Sequence, residues 1–105
     1  MPPHKVVITA TAERDLEDIG DYIAKDNPRK AAETVLGIVR KVEQLDTFPE
    51  RHQVQEHLPD AHRFLIVGNY VAVYRVDEEH VYIIRVVQGS RDMTELLRGH
   101  DPSRL

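Results

Sequence analysis

Cysteine is absent from the 105 residues, which excludes a disulfide framework, thiolate metal ligation, thiol catalysis and cysteine-linked lipid anchors. Long apolar runs are missing too, and none approaches the ~18 residues that a membrane span requires. The opening Met1-Pro2-Pro3-His4-Lys5 lacks the apolar segment of a secretory signal, so a cytoplasmic location and no membrane partner are expected. There is no basic excess: the formal net charge is −4, unlike a protein that coats nucleic acid through bulk electrostatics. Direct sequence-specific DNA binding by this chain alone is therefore not expected. Lysine disappears after Lys41. Every strong base beyond that point is arginine, a planar bidentate donor and a poor proton acceptor.

What is present fits one compact domain spanning residues 1–105, with 41% hydrophobic and 30% charged residues and no repeat or linker-like stretch. Charge is uneven along it. Residues 1–61 hold twelve acids against eight strong bases, whereas residues 62–105 hold six of each.

The β-branched run Val6-Val7-Ile8 predicts an opening strand over 5–9. Thr9 or Thr11 can cap a helix whose first turns carry Glu13, Asp15 and Glu17 near the positive N-terminal end. Leu16, Ile19 and Ile23 share one helical face. Asn27 suits the cap of a second helix and Pro28 its first position. Ala31, Val35, Ile38, Val42 and Leu45 then form a continuous apolar stripe. Burying such side chains contributes about 1.5 to 3 kcal/mol each, which outweighs the cost of about 1 kcal/mol for Gly37. So short a link between the helices predicts an antiparallel hairpin. Phe48-Pro49-Glu50 ends the pair, and 49–61 reads as loop.

From His62 the period changes from helical to extended. Arg63–Val67 and Tyr70–Val76 flank Gly68-Asn69, and Val81–Val87 follows the turn at Asp77-Glu78-Glu79. These strands are apolar at both parities, so the sheet should be covered on both faces over much of its area. Arg91–Arg98 predicts a short terminal helix ending at Gly99. The fold class is thus α+β: a small antiparallel sheet (N-terminal strand plus three-stranded meander), an αα-hairpin packed on one face and a short C-terminal helix.

Several stretches have a familiar order and spacing. They are Ala12-Glu13-Arg14-Asp15-Leu16-Glu17-Asp18-Ile19, Tyr22-Ile23, Asn27-Pro28, Ala31-Ala32 and Leu45-Asp46-Thr47-Phe48-Pro49-Glu50. Tyr70–Val76 and Val81–Asp92 complete the set, which runs from residue 6 to residue 97. In these the chain resembles the RelE/ParE family of bacterial toxins from type II toxin–antitoxin systems. The resemblance implies a cognate ParD- or RelB-like antitoxin that neutralises the toxin by wrapping its surface. It also implies one of two targets. RelE-like members cut mRNA on the ribosome, and ParE-like members are associated with poisoning DNA gyrase.

Cleaving RNA through its own 2′-hydroxyl needs a proton acceptor, a proton donor for the leaving oxygen and cations for the phosphate. The resemblance to RelE-like nucleases implies lysine and arginine on the middle strands, an arginine after the last strand, and a tyrosine or histidine near the end. Here Arg63 stands on the second strand with no lysine, and Val71 occupies a position where those nucleases carry arginine. Arg91 matches the last arginine, while Leu96 and Leu97 stand where the tyrosine would be. As a nuclease the chain would rely on Arg63, Arg91 and His100. The pattern is closer to the ParE-like branch, a gyrase inhibitor acting by binding, with neither cofactor nor metal. Its target-binding candidates are Arg63, Arg75, Tyr82, Arg85, Arg91, Leu96, Leu97 and Arg98. The helical hairpin, with its acidic rim, would be scaffold and part of the antitoxin groove.

Arg75 and Arg85 each interrupt an apolar strand and must reach solvent, a carboxylate or a partner. Arg85 can do so through an acid of the hairpin such as Asp15 or Asp18. A two-residue turn at Glu78-Glu79 would put Arg75 and Arg85 on opposite faces, and a three-residue turn would put them on one. The shorter turn is favoured. Tyr70 and Tyr74 read as core beneath the helices, and Tyr82 as a surface aromatic that could stack against a base. The six histidines lack regular helical metal spacing and read as solvated. Asp92 reads as a helix cap.

Overall fold

The computed structural model describes residues 3–52, 54–55 and 61–89. Four strands and two helices follow in the order β1 (Lys5–Ile8), α1 (Ala10–Ala24), α2 (Pro28–Glu43), β2 (Arg63–Val67), β3 (Tyr70–Val76) and β4 (His80–Gln88). Short 3-10 turns at Gln44–Asp46 and Pro49–Arg51 lie between α2 and β2. The expected terminal helix over 91–98 lies outside the described residues, as does Asp92.

Thr9, not Thr11, caps α1: its hydroxyl accepts from the Ala12 amide at 3.2 Å. Asn27 caps α2 through the Lys30 amide at 3.0 Å, with Pro28 in the first turn. The apolar stripe of α2 turns inward, burying Ala31, Ile38 and Val42. Leu45 continues it although it belongs to the following 3-10 turn, where it is fully buried. Phe48 then adopts a left-handed backbone, φ 51°, and leaves its ring exposed. That conformation costs about 1 to 2 kcal/mol for a residue with a Cβ. It turns the chain so that Pro49 is buried.

The sheet order is β1-β4-β3-β2. The meander is antiparallel as expected, but β1 pairs with β4 in parallel, so the sheet is mixed. Hydrophobic alternation carries no information about strand direction. Here Thr9 decides it: its amide and its hydroxyl both donate to the Ile83 carbonyl, at 3.2 and 2.7 Å. This fixes the helix-bearing end of β1 beside Ile83, and the other end, Lys5, faces His80.

Gly68, with φ 59°, occupies the first central position of the two-residue turn between Val67 and Tyr70, a position that favours glycine. The main core lies between the helices and the sheet and contains Leu16, Ile38, Leu45, Tyr74, Val81 and Ile83, among others. Tyr70 is half-buried and packs against it. A second cluster, Val71, Val73 and Val87 with Phe64 and Ile84, occupies the opposite face. Both faces of the central strands are therefore apolar, as the double-parity pattern implies.

Candidate functional site

The β3–β4 connection is the two-residue turn: Val76 pairs with Val81, and the Asp77 amide donates to the His80 carbonyl at 3.0 Å. Farther along, Tyr74 pairs with Ile83 but Val73 pairs with Arg85, so Ile84 is an extra residue on β4. A bulge of this kind turns two consecutive side chains toward one face. Arg85 and Val86 both reach the helix side. There the Arg85 Nε and Nη2 donate to the two Asp15 carboxylate oxygens at 2.7 and 3.1 Å. The same carboxylate accepts from the Val86 amide at 2.9 Å. Asp15, not Asp18, is thus the partner. Arg85 is committed to joining α1 to β4, and its Nη1 is buried without a hydrogen-bond partner.

Arg75 lies on the other face. Its guanidinium sits 5.1 Å from the centroid of the Tyr82 ring, a cation–π distance. The His80 ring stacks on the same tyrosine, 5.5 Å away with an interplanar angle of 25°. Asp77 anchors this end. Its Oδ1 accepts from the Glu79 and His80 amides at 2.9 and 2.6 Å and lies 3.4 Å from His80 Nδ1. The two amide hydrogen bonds, foremost among several causes, hold the Asp77 carboxyl below its ordinary pKa.

Arg63 is occupied differently. Its Nη1 donates to the backbone carbonyls of Glu50, at 3.1 Å, and of His52. Val54 bridges to Arg63, and the Gln55 amide donates to the His62 carbonyl at 2.8 Å. Residues 50–52 and 54–55 are thereby laced onto the edge of β2. Beneath it the fully buried Tyr74 donates its hydroxyl to the Pro49 carbonyl at 2.7 Å. Burial, more than any neighbouring charge, pushes the Tyr74 hydroxyl up to about 12. The His52 ring meets Tyr74 edge-on, with centroids 6.2 Å apart.

The structure thus separates three of the arginines singled out by sequence. Arg85 braces the interior, Arg63 ties down a loop, and Arg75 with Tyr82 faces outward. The favoured opposite-face placement of Arg75 and Arg85 is observed. Arg91, Leu96, Leu97, Arg98 and His100 lie outside the described residues. The reading of the histidines as solvated needs correction. His62, just before β2 and with its carbonyl bonded by the Gln55 amide, is buried at 6% exposure, and His80 is stacked on Tyr82. Sequence reasoning also missed Arg51 and His52. The only sequence signal was the adjacent pair itself, one residue beyond Glu50.

Two clefts flank α1. One, of about 390 Å³, is lined by Leu16, Gly20, Ala31 and Val35 with Glu17 and Asp21 at its rim. The other, of about 460 Å³, is bounded by Asp18, Tyr22, Tyr70, Arg85 and Gln88. Tyr22, in the wall of the second cleft, stands 74% exposed and Lys25 approaches its ring. Among the described residues, no three His, Asp or Glu side chains converge as a metal site, and no helix is long and apolar enough to cross a membrane.

A family model described as the ParE toxin of the type II toxin–antitoxin system, parDE, matches residues 6–93. Among solved structures, the chain is similar to one from the chromosomal ParDE TA system of P. aeruginosa. The two share 25% identity and a TM-score of 0.71 over 81% of this chain and 95% of that one. It is also similar to a chain of the toxin–antitoxin complex RelBE2 from Mycobacterium tuberculosis. There the identity is 28% and the TM-score 0.59, over 87% of this chain and 97% of that one. No curated protein matches it. A match over most of the chain, with a mixed sheet and helical hairpin of the same build, shows that this protein belongs to the ParE toxin family of type II toxin–antitoxin systems.

Proposed function

We propose that this toxin arrests growth in the bacterial cytoplasm by binding DNA gyrase, without bond chemistry of its own. The observation that carries this reading is the state of the sheet positions a nuclease would use. Val71 is buried in the outer-face apolar cluster, and β2 carries no lysine beside Arg63, whose Nη1 is held by two backbone carbonyls. The outward-facing Arg75 and Tyr82 offer a cation backed by an aromatic ring, a combination frequent at the energetic centre of protein interfaces. Arg91, Leu96, Leu97 and Arg98 would extend the target surface.

Neutralisation would come from a ParD-like antitoxin, as the ParDE and RelBE2 complexes suggest for their own pairs. The clefts beside α1 favour that partner's approach there. The one lined by Leu16, Gly20, Ala31 and Val35, with Glu17 and Asp21, suits a segment with apolar side chains flanked by bases.

The alternative is a ribosome-dependent mRNA endonuclease built on Arg63, Arg91 and His100. The likeness to a RelBE2 chain is what favours it. A third possibility is an inert relic that still binds an antitoxin. Expression of the chain without its partner separates all three. Gyrase poisoning predicts filamentation, DNA breaks and supercoiling defects with intact mRNA. Transcripts cut at ribosome-occupied codons would overturn the proposal in favour of the nuclease, and a folded product with no toxicity would leave the relic. Under the gyrase reading Arg75→Glu and Arg91→Ala should each abolish toxicity while the chain stays folded.

A further inference from the structure

Although the chain is acidic as a whole, positive charge gathers around His52, away from Arg75 and Tyr82. Arg51, at the end of the Pro49–Arg51 turn, directs its Nε to His52 Nε2 at 3.4 Å. Arg63 approaches the same residue from β2 through the His52 carbonyl. Burial and then the charges of Arg51 and Arg63 lower the pKa of His52 below 6.5, so near neutral pH the ring is uncharged and its Nε2 is an acceptor. Among the described residues, neither guanidinium has a carboxylate at ion-pair distance. Glu50 is the acid of this turn, and its charge acts on Tyr74.

The cluster is held in place. Arg63 is pinned by two carbonyls. The turn itself is fastened by the Tyr74 hydroxyl on Pro49, and the edge of the Tyr74 ring limits where His52 can move. Of the three side chains, the exposed Arg51 is the one a ligand would still have to order.

We propose that Arg51, His52 and Arg63 form a binding site for a tetrahedral oxyanion of the phosphate class. Guanidinium groups present planar donors matched to phosphate oxygens. Burial, and after it the charges of Arg51 and Arg63, keep His52 neutral, and an arriving anion opposes both by offsetting those charges and favouring the protonated ring. The ring then takes one proton from solvent, and Nε2 turns from acceptor of the Arg51 N–H into a third donor to the ligand. Binding should therefore take up a proton and weaken as pH rises. The groups that act on or touch the His52 ring are Arg51 from its own turn, Arg63 from β2 and Tyr74 from β3; the charge of Glu50 acts on Tyr74. The inference does not depend on the gyrase reading, and nothing in it requires bond cleavage.

The ligand could be free phosphate, a nucleotide or the backbone of a nucleic acid, which share this chemistry. The test follows histidine ring signals of the full chain by NMR, at fixed ionic strength. The probes are inorganic phosphate, a nucleoside monophosphate and a single-stranded oligoribonucleotide. The expected result is a saturable shift of the His52 ring and a rise in its titration midpoint. Arg51→Ala should weaken binding about tenfold, as loss of a charge-assisted hydrogen bond implies, and Arg75→Ala should leave it unchanged. If Arg51→Ala fails to fold, Arg51→Gln serves in its place. Tighter binding of the oligonucleotide than of free phosphate would identify the backbone as the source; equal binding would identify the free anion. A His52 signal that does not respond, a response confined to His4 or His80, or full affinity in the Arg51 variant would overturn the site.

Discussion

Arg85 and Asp15 stand 70 positions apart in the chain and meet in a two-point hydrogen-bonded ion pair. Their side chains are only 11% and 13% exposed. A pair so placed adds little over well-packed apolar groups, yet losing one member leaves the other charge buried and unpaired.

Asp15→Ala should accordingly lower stability by about 3 to 5 kcal/mol. The Val86 amide loses its acceptor at the same time. Combining it with Arg85→Met removes the stranded charge and should recover part of that loss. Urea unfolding midpoints of the single and double variants measure this. A single variant within about 1 kcal/mol of the parent would mean that the pair does not brace α1 on the sheet.

The Tyr74 hydroxyl supplies a second test, at high pH. Its pKa is raised from 10.0 to about 12 in the folded protein, so between those values the folded state holds a proton that the unfolded chain releases. Stability present below pH 10 should decline as pH rises toward 12. Tyr74→Phe should cost about 1 to 3 kcal/mol by stranding the Pro49 carbonyl, and should remove this tyrosine's share of the alkaline decline. Thermal melts across that range give both numbers.

His52 works in the opposite sense. Its folded pKa lies below the ordinary 6.5, so in mildly acid solution the unfolded chain binds a proton that the folded one refuses. Stability should therefore fall as pH drops from 6.5 toward the folded value. Asp77, depressed by backbone hydrogen bonds, adds a further loss at lower pH, below the ordinary aspartate range. His52→Gln should flatten the upper part of the acid curve and leave the lower part alone. Denaturant melts at stepped pH would show it, and an unchanged curve would remove His52 from the explanation.

Leu45→Ala tests the apolar stripe where the α-helix has already ended. The side chain is fully buried, and its truncation should cost about 2 to 5 kcal/mol. Domains of this size are stable by about 5 to 15 kcal/mol, so the loss should be plain in a chemical melt. A change below about 0.5 kcal/mol would place Leu45 at the surface.

Much of this was readable along the chain because the forces involved are local. Thr9 and Asn27 can each cap a helix with a side-chain oxygen, Pro28 fits only a first turn, and the α2 stripe repeats at the helical period. Val76 and Val81 flank a turn short enough to dictate which face each arginine takes. An arginine inside an apolar strand must also reach solvent, a carboxylate or a partner, and an acid of the hairpin such as Asp15 or Asp18 is one answer for Arg85.

Other features come from contacts between distant segments, for which periodicity leaves no trace. The direction of β1 follows from Thr9 binding the Ile83 carbonyl, and the extra residue at Ile84 from fitting β4 against β3 beneath α1. Asp15 prevails over Asp18 because the bulge aims Arg85 and the Val86 amide at a single carboxylate. Arg51 and His52 look like ordinary loop residues until Arg63 and Tyr74 fasten the turn around them. Composition and spacing determine which helices and strands form, since those depend on neighbours a few positions away. Which charges are neutralised inside and which are left to meet a partner is decided when the layers close, because burial and Coulomb energy depend on distance in space.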